Sequence, residues 1–126
     1  MELDFIDNVN EFGESVVRLY NFDKNEAILF RDLIEEVVIL NKRKLYLSEV
    51  DFIKPRNCKL VLGLFKDDEG IFTLDYETFF CALTINGFNE MLKLLSPFCE
   101  KETKGHQYLY ELDNPIDFLF SPAGTW

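Results

Sequence analysis

Apolar and polar positions change period repeatedly along this chain, and the most informative stretch is Lys59–Leu83, KLVLGLFKDDEGIFTLDYETFFCAL. Leu60, Leu62 and Leu64 share one side of an alternating run, while Val61 and Phe65 fall on the other with Gly63 between them. A strand apolar on both sides belongs inside a sheet that is covered above and below. A second apolar run, Ile71–Leu74, follows the cluster Asp67-Asp68-Glu69-Gly70. The spacing predicts two adjacent strands joined as a hairpin, with Gly70 supplying a backbone torsion that other residues avoid.

Periodicity elsewhere sorts the chain into further elements. Ser15–Phe22 (SVVRLYNF) is rich in strand formers. Lys24–Leu40 is helical: Phe30, Leu33, Ile34, Val37 and Val38 make one stripe, and Arg31, Asp32, Glu35 and Glu36 make another. Asp23 is placed to cap that helix, Glu26 completes a capping box, and Lys42, Arg43 and Lys44 suit its far end. In Lys44–Ile53, alternation switches parity near Ser48 and Glu49, which predicts a bend, and Pro55 closes the element. Strand, helix and strand together suggest a right-handed crossover.

Tyr76–Ile85 reads as a third meander strand, with a helix as the alternative. Asn86–Ser96 is a second amphipathic helix, with Phe88, Met91, Leu92 and Leu95 inward, Thr84 or Asn86 as cap and Pro97 as stop. His106–Leu112 reads as a strand with His106, Tyr108, Tyr110 and Leu112 on one side. Residues 1–14 fit a short helix or a strand-like arm equally well. The expected fold is α+β: an antiparallel-rich sheet of five or six strands with two amphipathic helices packed mainly on one face.

Length fits a single domain over residues 1–126. The stretch 113–126 (DNPIDFLFSPAGTW) is a tail whose Ile116, Phe118, Leu119, Phe120 and Trp126 would leave an adhesive patch if solvated. It is expected to dock on the core or on a partner.

Charge narrows the function. The 23 acidic residues against 13 basic ones give a formal net charge of −10, which repels phosphate backbones and anionic lipids. Neither nucleic acid nor membrane is an expected partner. Cys58, Cys81 and Cys99 form no close pair, which fits reduced thiols in a cytoplasmic protein. The N-terminal stretch lacks a signal-peptide pattern, and no apolar run approaches membrane-spanning length.

Catalytic patterns fare poorly. Nucleotide-binding glycine motifs, the zinc-protease helix motif and the nucleophile elbow are all missing. Aligning Gly70 with the glycine of a calcium loop puts Phe65 and Tyr76 where carboxylate ligands are required. His106 is the only histidine, which excludes sites needing two. No catalytic residue, metal site or cofactor is assigned, and the enzyme question leans to no.

The leading expectation is a non-catalytic acidic protein-binding domain. It would neutralise a basic partner, as bacterial immunity proteins do (an analogy of charge and size), or act as a self-associating subunit. Candidate contact residues are the carboxylate ridge Asp32, Glu35 and Glu36, and the aromatic set Tyr108, Tyr110, Phe118, Phe120 and Trp126. The competing expectation is a small enzyme or ligand-binding domain with a Phe/Tyr-lined pocket and paired carboxylates.

Overall fold

In the computed structural model, which describes residues 1–9 and 11–124, the strands divide between two sheets rather than one. In chain order they are β1 (Glu2–Ile6), β2 (Ser15–Tyr20), β3 (Leu45–Tyr46), β4 (Lys54–Pro55), β5 (Lys59–Leu64), β6 (Gly70–Thr73), β7 (Thr78–Leu83), β8 (Gln107–Tyr108) and β9 (Ile116–Ser121). One sheet has the order β4-β1-β2-β9-β8 and the other β3-β5-β7-β6. Both are mixed: β2 runs parallel to β9 and β5 parallel to β7, while β1–β2, β8–β9, β3–β5 and β6–β7 are antiparallel. The class is α+β with two helices; the single antiparallel-rich sheet is corrected.

The expected hairpin at Asp67–Gly70 is also corrected. β5 and β6 are not neighbours, because β7 returns between them and pairs with both. Ile71 and Phe72 therefore face Cys81 and Phe80, not β5. Two apolar runs flanking a turn fit direct pairing and insertion of a third strand equally well. The next segment decides, and Thr78–Leu83 (TFFCAL), buried or half-buried throughout, fills the central position.

α1 (Lys24–Leu33) starts as expected: the Asp23 side chain accepts from Glu26 N–H. The Glu26 carboxylate, however, receives the Met1 ammonium at 3.0 Å instead of closing a capping box. From Ile34 to Leu40 the helix widens into π-helical turns, ending with Asn41 N–H on the Glu36 carbonyl and Lys42 at φ 52°. The β-branched run Val37-Val38-Ile39 crowds ordinary α winding. In the wider turns Ile34 and Val38 are fully buried and Glu35 and Glu36 exposed. α1 does not return the chain to its own sheet as a crossover would, because β2 and β3 belong to different sheets.

α2 (Ile85–Glu100) is capped by Thr84, whose side chain accepts from Gly87 N–H. Pro97 does not stop it. The helix continues to Glu100, and that last stretch buries Phe98 and Cys99. Between Lys44 and Ile53 the expected bend is a 3₁₀ turn at Leu47–Glu49, which leaves β3 two residues long. His106–Leu112 pairs only at Gln107–Tyr108, and the consecutive burial of Leu109 and Tyr110 breaks the expected alternation.

Inner residues of both sheets and both helices form one apolar cluster. Phe120 stands at its aromatic centre, with Phe22 at 4.1 Å, Phe98 at 5.1 Å and Phe30 at 5.8 Å between ring centroids. It belongs to β9, the strand between β2 and β8.

A second set of contacts ties the sheets edge to edge. The Tyr110 hydroxyl accepts from Ile71 N–H at 3.0 Å and donates to the Ile116 carbonyl. The Asn114 amide donates to the carbonyls of Glu69 (2.7 Å) and Ile71 (3.0 Å), while its oxygen accepts from Ile116 N–H (2.8 Å). Two side chains thus satisfy the edge of β6 and the start of β9 together. Gly70 makes this possible: it sits at φ +78°, and a Cβ there would lie 2.5 Å from the Asn114 amide nitrogen.

Phe120→Ala is expected to lower unfolding free energy by about 3–5 kcal/mol in a denaturant titration, because it opens a cavity shared by three rings. Tyr110→Phe keeps the ring but orphans a buried N–H, and a loss of about 1–3 kcal/mol is expected from the same measurement.

Candidate functional site

Alternation along the four-stranded sheet turns Leu60, Leu62, Ile71, Phe79, Cys81 and Leu83 into the core. The intervening positions face outward; Tyr46 and Phe72 are exposed there, while Val61 and Ala82 are buried among their neighbours. The pairing registers put Tyr46 opposite Val61, Val61 opposite Phe80 and Phe80 opposite Phe72, so one apolar row crosses all four strands. Phe72 and Phe80 stack at 5.6 Å between centroids. Tyr46 and Phe72 are 44% and 42% exposed, and Phe65, just past the end of β5, is 47% exposed.

The next row is built of small residues: Gly63 faces Ala82, and Ala82 faces Gly70. Gly63 and Ala82, flanked by Phe65, Phe72 and Phe80, form a shallow groove of about 170 Å³, and the Lys44 stem lies against Gly63, its Cγ 3.4 Å from where a Cβ would stand. Aromatic walls over a small-residue floor make a receptor for an apolar side chain. Sequence reasoning missed this site by assuming that both faces of β5 are covered. A signal was available: the outward positions Lys59, Gly63 and Thr78 are polar or small, unlike the inward leucines.

A second concavity lies between the start of α2 and the segment after β8, with a volume of about 300 Å³. Its lining includes leucines, Tyr110 and three carboxylates, Asp68, Glu90 and Glu111. No phenylalanine lines it, so it is not the Phe/Tyr pocket expected from the sequence. The carboxyl group that the protein pushes upward is Asp117, through burial first and the nearby Glu14 second, and Asp117 does not line this cleft.

The contact residues expected from the sequence are scattered. Asp32, Glu35 and Glu36 are exposed on the first helix, with Asp32 paired to Arg31 at 3.3 Å. Tyr108 is exposed on β8, where His106 meets it edge-on at 6.0 Å. Tyr110, Phe118 and Phe120 are in the interior: Tyr110 joins the sheets, and the two phenylalanines fill the core because inward positions of a strand flanked on both sides have no route to solvent. Trp126 lies outside the described residues. Among the described residues, Tyr110, Phe118 and Phe120 are buried and so do not share a surface with the acidic set.

Other chemistry is sparse. Among the described residues, no group of three or more His, Cys, Asp or Glu side chains is placed to hold a metal ion. Among them, too, no helix is long and apolar enough to cross a membrane. Burial pushes the Cys58 thiol up to about 12 and also raises Cys81 and Cys99. On the outer side of the five-stranded sheet, Arg18 makes a two-point contact with Asp4 at 2.8 and 2.9 Å, stacks over Tyr20 at 3.9 Å and donates to the Gly124 carbonyl. The group is already satisfied within the chain. Comparisons with family models, curated proteins and solved structures found no match.

The thiol environments are testable. Brief exposure to iodoacetamide near about pH 8 is expected to leave Cys58 and Cys81 unmodified in the folded protein and to label them in denaturant, because raising a thiol pKa depletes the reactive thiolate. Peptide mass mapping reads the result; rapid labelling of Cys81 without denaturant would contradict its burial.

Proposed function

We propose that this protein is a non-catalytic protein-binding domain and that its contact surface is the outer face of the four-stranded sheet. The carrying observation is the row Tyr46, Val61, Phe80 and Phe72, which crosses four strands and is exposed at both ends, at Tyr46 and Phe72. Exposed aromatic residues around a small-residue floor match the composition of interface hot spots. The partner is a protein that seats an apolar side chain over Gly63 and Ala82.

The partner's net charge is taken as positive. A formal charge of −10 attracts a basic protein at long range and opposes association of two copies of this chain. The ridge Asp32, Glu35 and Glu36, exposed on the first helix, contributes to this field. It steers encounter, and the row holds the complex.

A double substitution, Phe72→Lys with Phe80→Lys, tests the assignment. Phe80 is half-buried and directly opposite Phe72, so the lysine pair is expected to lower the thermal melt, and retention is compared at a temperature where both proteins are folded. Immobilised parent protein is expected to retain a basic partner that rising salt releases, and the double variant is expected not to retain it. Retention of the same partner by the variant would contradict the assignment. So would a dimer, seen by light scattering, that the variant abolishes, since the face would then serve self-association.

A further inference from the structure

We infer that the acid-rimmed cleft beside α2 receives an arginine side chain from a basic protein segment. The inference rests on the preceding reading only for the partner being basic; the cleft itself can be tested alone. Its floor is aliphatic, offered by the half-buried Leu94 and Leu112 over the buried Leu83 and Leu109, and its rim is anionic. At about 300 Å³ it is at the small end of ligand sites, with room for one long side chain rather than a large cofactor.

The chemistry of floor and rim selects the occupant. An arginine lays an apolar stem on aliphatic surface while its guanidinium makes charge-assisted hydrogen bonds at the end. Its planar fork can address more than one carboxylate at a time, which a lysine ammonium does less well. No cationic side chain lines the cleft to occupy that position. Lys93 pairs with Glu90 at 3.0 Å, but both side chains are about 70% exposed, and such a pair is weak and easily exchanged.

The rim is held in place by the fold. Asp68 accepts from both the backbone N–H and the hydroxyl of Thr84, at 2.8 and 2.9 Å, which fixes it against the first turn of α2. Gly87 leaves the necessary space: a Cβ there would lie 2.5 Å from the Asp68 carboxylate. Glu111 comes from the opposite wall, next to Tyr110, whose hydroxyl is committed to joining the sheets. Thr84 therefore holds Asp68 on one wall and the anchored Tyr110 places Glu111 on the other, so the carboxylates face a cleft that exists without a ligand. This arrangement reads partner charge at a single side chain, whereas the aromatic sheet face reads apolar shape.

Titration of the full chain with the tripeptide acetyl-Leu-Arg-Leu-amide, followed by amide NMR, tests the inference. The expected result is saturable shifts at Gly87, Leu109 and Glu111. The citrulline analogue, equal in shape but uncharged, should bind about fivefold or more weakly, as should the exposed double variant Glu90→Gln with Glu111→Gln, since one lost ion pair of about 1 kcal/mol corresponds to that factor. Equal affinity for the citrulline peptide would overturn the inference by showing an apolar slot only. Unmoved cleft resonances, or an unaffected double variant, would overturn it as well. If the Phe72 and Phe80 substitutions abolish partner retention while the arginine peptide moves nothing, the cleft inference alone falls. The opposite pair of results removes the sheet-face assignment and leaves the cleft standing.

Discussion

Everything distinctive about this fold depends on how β6 is closed. It is an edge strand, and an open edge beside an aromatic face would be an invitation to uncontrolled pairing. Tyr110 and Asn114 reach across from the five-stranded sheet and take up the Ile71 N–H and the carbonyls of Glu69 and Ile71. The same two side chains fix the start of β9 through Ile116. One small group of hydrogen bonds therefore caps an edge and sets the two sheets against each other. Burial of the Tyr110 hydroxyl, which raises its pKa, strengthens the dependence, because a buried group that loses its partner keeps its desolvation cost.

This closure separates the two surfaces that matter. With the β6 edge satisfied, the sheet cannot easily recruit another strand there, so an approaching protein meets side chains: Phe65, Phe72 and Phe80 around the Gly63–Ala82 floor. The chain segment that supplies Tyr110 also supplies Leu109, Glu111 and Leu112, one wall of the acid-rimmed cleft. Gly70 and Gly87 are the two positions where close backbone approach makes this possible, one against Asn114 and one against Asp68.

Local features of the fold were legible in the sequence where one element carries its own signals. Lys24–Leu40 announces its cap at Asp23, its apolar stripe and its length, and all three hold even though its second half is wound as a π-helix. Gly70 is legible as a position needing an unusual torsion, and the strand beside it is present, although its neighbour is β7 rather than β5. What stayed hidden is pairing between distant segments. Nothing local in Leu60–Phe65 or Ile71–Leu74 tells whether they meet directly or admit β7 between them. Nor does Ile116–Ser121 reveal that it lies between β2 and β8, since a buried strand and an adhesive tail have the same composition. Pro97 failed as a stop because the Phe98 ring packs against Phe120, and that burial outweighs the missing backbone hydrogen bond. The same gap explains the candidate residues: the aromatic side chains were recognisable as anchors, but only the register decides which anchor the core and which face solvent.

Hydrogen exchange at the Ile71 amide reports on the closure most directly, since a bare edge strand would leave that group in water. The account predicts protection of Ile71 N–H comparable to that of the central-strand amide of Cys81, exchanging only when the domain opens as a whole. Exchange at the rate of an exposed loop amide would mean that Tyr110 does not hold β6, and the joint between the two sheets would have to be sought elsewhere.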